Sequence, residues 1–78
     1  MFKNNIKWRR ETLPEGPITQ TFLSQQMGRD KSYISRVENG KRIPGLELLF
    51  KLAQYFKCRP GEIFQYIPEK EDAHVNQR

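Results

Sequence analysis

Between positions 29 and 42 the sequence sets Arg29, Lys31, Arg36, Lys41 and Arg42 against two acids, Asp30 and Glu38. Inside that stretch Lys31, Ser32, Tyr33, Ser35 and Arg36 are hydrogen-bonding side chains with no carboxylate among them, while Ile34 and Val37 lie three apart. On a helix this spacing gives an apolar side for a core and an opposite side of ammonium, hydroxyl and guanidinium groups. Such donors suit the guanine O6 and N7 edge of a DNA major groove and the phosphate oxygens that flank it. Taken one at a time the residues are less telling: Lys31 alone reads as a solvated charge, and Arg36 lies within reach of Glu38 or Asp30. Covalent or metal chemistry has no comparable support. His74 stands alone in a polar segment, Cys58 has no second cysteine, and Ser24, Ser32 and Ser35 lack a general base. No glycine-rich phosphate loop and no metal-spaced cluster occurs, so no enzyme activity, cofactor, metal or small-molecule effector is expected.

Five helical segments would have to position these groups, with brief connections and no strand. The first runs from about Asn4 to Thr12, with Asn4 or Asn5 as its cap, and Pro14-Glu15-Gly16-Pro17 then breaks the chain. Thr19 is placed to cap a second helix through Met27, and Gly28 supplies the left-handed residue that ends it. Asp30 caps the third, Lys31 to about Glu38, which Asn39-Gly40 stops. Leu46, Leu49, Phe50, Ala53 and Phe56 repeat at helical spacing, broadened by Leu48, Leu52 and Tyr55. This fourth segment is predicted to be the central core helix, with Phe50, Phe56 and Trp8 all inside. Pro60 opens a fifth helix through Glu62-Ile63-Phe64-Gln65-Tyr66-Ile67.

The totals bound the rest. Seventy-eight residues allow one domain, expected over 1–67, with a polar, solvated tail over 68–78. A formal net charge of +5 favours polyanionic partners. No apolar run is long enough for a membrane span, and no secretory leader opens the chain, so a cytoplasmic location is expected. There is also little room for a separate effector or activation domain, which favours a repressor over an activator.

The run Thr19-Gln20 … Leu23-Ser24 … Met27-Gly28 … Ser32-Tyr33-Ile34-Ser35-Arg36-Val37-Glu38-Asn39-Gly40-Lys41-Arg42 … Pro44 … Leu46-Glu47-Leu48-Leu49 resembles the helix-turn-helix domain of the phage Cro and lambda-repressor family. The likeness extends from about Ile18 to Phe64. It implies a compact all-α domain of five helices whose helix-turn-helix covers roughly Gln20 to Asn39. It also implies sequence-specific binding of double-stranded DNA in transcriptional regulation. Transferred position by position, the resemblance places Lys31, Ser32 and Arg36 at base edges, with Ser35 a weaker candidate. Gln20, Asn39, Lys41 and Arg42 are implied at phosphates, with Tyr33 along the groove wall or at a phosphate. It further implies a homodimer formed through the C-terminal helix, where Phe64, Tyr66 and Ile67 are the candidates, because two copies span half-sites one helical turn apart.

Two departures from the family pattern stand out. Ser24 takes the place usually held by alanine where the helices cross, so its hydroxyl needs a partner. The Pro-Glu-Gly-Pro insertion shifts the alignment of the first helix, leaving Arg9 and Arg10 as alternative partners of Glu38. A rival reading keeps the fold but makes the chain a protein-interaction module, such as an antitoxin or the partner of another regulator. That reading calls for acidic or apolar residues on the outer face of the third helix, where Lys31, Ser32, Ser35 and Arg36 stand instead.

Overall fold

A computed structural model describes residues 2–66; the tail over 68–78 and Ile67 lie outside the described residues. In chain order the elements are β1 (Phe2–Asn4), α1 (Ile6–Glu11), α2 (Gln20–Met27), α3 (Lys31–Glu38), α4 (Leu46–Phe56), α5 (Pro60–Ile63) and β2 (Phe64–Tyr66). The five helices fall where the sequence places them, though the fifth ends four residues early. The strands are a correction. β1 and β2 pair antiparallel, with Lys3 opposite Gln65 and Asn4 opposite Phe64. The first helix therefore starts at Ile6 rather than Asn4, and the fifth stops at Ile63 rather than Ile67. Each strand is three residues long, too short to show alternation, and only the meeting of distant chain segments creates the pair. The Asn5 amide N–H donates to Ile63 O at 3.2 Å and its side-chain amide to Glu62 O at 2.9 Å, fastening this closure.

Local chemistry sets the helix ends. Thr19 Oγ1 accepts the Phe22 N–H at 3.0 Å and caps α2. At the other end Gly28 takes φ +69°, its N–H donating to Gln25 O while the Arg29 N–H reaches Ser24 O. This pair of reversed bonds satisfies carbonyls that would otherwise end the helix unpaired. The same pair closes α3 at Gly40 (Gly40 N–H to Val37 O, Lys41 N–H to Arg36 O) and α4 at Lys57 (to Gln54 O, with Cys58 N–H to Ala53 O). Lys57 does this at φ +57° without being glycine. No sequence signal marks it.

The core comprises Ile6, Leu23, Met27, Ile34, Val37, Leu48, Leu52, Ala53, Phe56 and Ile63. Leu13, Ile18, Tyr33, Tyr55, Cys58 and Phe64 pack partly buried against it. α4 is central, but its phase differs from the expected stripe. Leu48, Leu52, Ala53 and Phe56 turn inward, whereas Leu46 is 70% and Phe50 57% exposed. Glu47, Lys51 and Gln54 form a polar stripe along one side of the helix, and the inward residues are those opposite it, so the polar stripe and not the spacing of the apolar residues gives the phase. Trp8, also expected inside, is 60% exposed. Ile6 and Arg10, four apart, form the inner face of α1, so Trp8 midway between them points outward. An arginine holds the position an aromatic was expected to fill, because a carboxylate waits for it.

Candidate nucleic-acid interface

α3 is fixed by its apolar side. Ile34 and Val37 have no exposed surface, and they pack beside Leu23 and Met27 of α2 in the core. Where α2 and α3 meet, Ser24 is 5% exposed and its hydroxyl donates to Thr21 O at 2.7 Å, so the polar group is satisfied within its own helix. The departure from alanine thus costs no unpaired donor.

The C-terminal end of α3 is bolted to the rest of the domain through Glu38. Arg10 grips its carboxylate with two bonds, Nε to Oε2 at 2.7 Å and Nη2 to Oε1 at 3.1 Å, and a third donor reaches Ile18 O at 3.2 Å. Gln20 Nε2 adds a bond to Oε1 at 2.9 Å. The Glu38 side chain is only 3% exposed. The hydrogen bond to Glu38 raises the Arg10 pKa above its usual value, against the lowering effect of burial, and the carboxylate charge adds to the rise. The choice left open between Arg9 and Arg10 is thereby settled. Arg9 turns to the other side, donating to Asn5 Oδ1 at 3.1 Å and lying 4.0 Å from Glu62 Oε1. Asn4 completes the anchorage by donating to Val37 O at 2.9 Å while its Oδ1 accepts the first N–H of α1, that of Ile6.

The opposite side of α3 is open. Lys31, Ser32 and Arg36 are exposed, and Tyr33 and Ser35 are half-buried. Among the described residues neither Lys31 nor Arg36 forms an ion pair, so Arg36 engages neither Glu38 nor Asp30. Asn39, Lys41 and Arg42 are exposed on the loop that follows, and Asn39 Nδ2 lies 3.5 Å from Ser35 Oγ. Gln20 is placed differently from these. It is half-buried with its amide N–H₂ committed to Glu38, and it lines, with Lys31 and Thr21, an open hollow of about 540 Å³ at the start of α2.

Arg29, which the sequence shows only as one charge of the basic stretch, sits against an aromatic ring. Its guanidinium carbon lies 5.2 Å from the centre of the Tyr33 ring, and that of Arg42 lies 5.1 Å from the same ring. The four-residue spacing of Arg29 and Tyr33 was the available signal, obscured because Arg29 precedes the helix cap.

The helix-turn-helix family model matches residues 6–63, from the first residue of α1 to the last of α5, so both strands lie outside the match. The chain is also 34% identical over 64 residues to an uncharacterized HTH-type transcriptional regulator of Methanocaldococcus jannaschii, an alignment that covers 82% of this chain and 92% of that protein.

Proposed function

The chain belongs to the Cro/lambda-repressor-type helix-turn-helix family, and from that premise we propose that it is a DNA-binding transcriptional regulator that lays α3 in the major groove. One observation carries the reading: α3 buries Ile34 and Val37 completely while Lys31, Ser32 and Arg36 stand exposed without an acidic partner among the described residues. Uncompensated donors on a rigid helix keep their hydrogen bonds for base edges. Lys31, Ser32 and Arg36 contact bases, with Ser35 beside them, and Asn39, Lys41 and Arg42 hold the phosphate backbone. Gln20 serves the backbone from the start of α2, held in place by Glu38. The regulation proposed is repression, since occupancy of a promoter is enough to exclude polymerase.

Two copies act together on one duplex. The C-terminal contact implied by resemblance loses part of its basis, because residues 64–66 form a strand and Phe64 packs on the core. Ile43, Leu46 and Phe50 are a better fit to a second copy, being exposed and directly following the phosphate-binding loop. Three such side chains offer only a few hundred Å² per copy, against about 800 Å² per partner in a stable complex. A contact of that size is expected to hold mainly when the duplex places two copies side by side.

Selection from randomised duplexes tests both parts. The expected product is a site with two-fold symmetric halves about one helical turn apart. Equal retention of unrelated duplexes would reject the reading, and a single unrepeated half-site would reject the pairing.

A further inference from the structure

We propose that Arg29, Tyr33 and Arg42 form a preassembled clamp for a DNA phosphodiester beside the groove that α3 enters, an inference that rests on the duplex-binding reading above. The three residues come from separate places: Arg29 from the turn between α2 and α3, Tyr33 from α3, and Arg42 from the loop after it. Both guanidinium carbons nonetheless lie close to 5 Å from one ring centre. Two like charges are thus held within about one Debye length of each other, where their repulsion is not screened away. Asp30, the neighbouring carboxylate, forms no ion pair with either, and among the described residues neither guanidinium makes a side-chain hydrogen bond.

Stacking on an aromatic face explains how the pair is tolerated, since the negative face of the ring attracts both cations. It also explains what they are ready for. A guanidinium held against a ring by its charge makes no hydrogen bond there, so its N–H groups stay available to the oxygens of a phosphate. Holding two long side chains in place before binding removes much of the rotamer entropy that a free arginine loses when it engages an anion. Tyr33 is accordingly a positioning residue whose ring orders two phosphate donors. Its neighbour three residues on is Arg36, so the clamp flanks the strip that faces the bases.

The test is fluorescence anisotropy of the full chain on its selected duplex, with affinity followed against salt. Arg29→Ala, an exposed change, is expected to make the log–log slope shallower by about 0.9, so that its deficit narrows about 3.5-fold between roughly 50 and 200 mM salt. Tyr33→Leu is expected to weaken selected and unrelated duplexes several-fold alike with the slope largely kept, because the charges remain and only their order is lost. Tyr33→Phe should bind as the parent does. An unchanged slope for Arg29→Ala would overturn the clamp. Failure of Tyr33→Phe to restore binding would overturn the platform, since the hydroxyl would then be the contact. If the parent chain bound no duplex, the clamp would fall together with the wider reading, whereas a binding parent with indifferent variants rejects the clamp alone.

Discussion

Arg10 and the Arg29–Arg42 pair show the same functional group in opposite settings. Arg10 is nearly buried, holds Glu38 with two bonds and has its charge cancelled where it stands. Arg29 and Arg42 lie at the surface on the face of Tyr33, with no acid to cancel them among the described residues. A paired arginine fixes the fold and contributes little field outside; an arginine resting on a ring leaves its field and its donors for another molecule. Both kinds meet at α3. Its C-terminal residue is held from within by Arg10, Gln20 and Asn4, and its outer face is free as a result.

The contrast breaks most sharply at Glu38. Glu38→Ala leaves a buried guanidinium without its counter-ion and should lower stability by about 3–5 kcal/mol, enough to unfold much of so small a domain. Replacing both partners, Arg10→Met with Glu38→Leu, should recover much of that loss, because no charge then remains buried. Thermal or denaturant unfolding of both variants checks this; a double variant as unstable as the single would show that packing, not charge, was lost. On the outer face the expected effects are smaller and of another kind. Lys31→Ala and Arg36→Ala should leave unfolding unchanged but remove about 1–3 kcal/mol of discrimination between the selected duplex and single-base variants of it. Competition binding reads that difference, and equal losses on every duplex would reassign both residues to the phosphates. The smallest expected change lies away from both settings. Lys57→Gly should raise stability by up to about 1 kcal/mol, since only the present side chain is strained at φ +57°.

What could be read from the sequence divides along the same line. Features set by neighbours in the chain were legible: Thr19 as a cap, Gly28 and Gly40 as helix stops, and the two-sided pattern of α3. Features set by distant partners were legible only in part: resemblance named Arg9 or Arg10 as the partner of Glu38 without choosing between them. Arg10 takes an inner position and Trp8 an outer one because Glu38, 28 residues away, supplies the charge that makes burial of an arginine tolerable. The strands exist only because Asn4 and Phe64 meet. Leu46 and Phe50 face out for a local reason: they border the polar stripe of Glu47, Lys51 and Gln54, which the apolar spacing taken alone does not show. At the site, residue types pointed to the outer face of α3, but Gln20 was assigned to phosphate without its bond to Glu38, and Arg29 showed only as one charge of the basic stretch.

The most direct measurement is the amide and side-chain NMR spectrum of the chain as its selected duplex is added. The largest shifts are expected at Lys31, Ser32 and Arg36 and along the loop from Asn39 to Arg42, with Leu48 and Leu52 in the core little moved. Shifts centred instead on Leu13 to Ile18, Phe22 and Tyr55, with the outer face of α3 unmoved, would contradict the account.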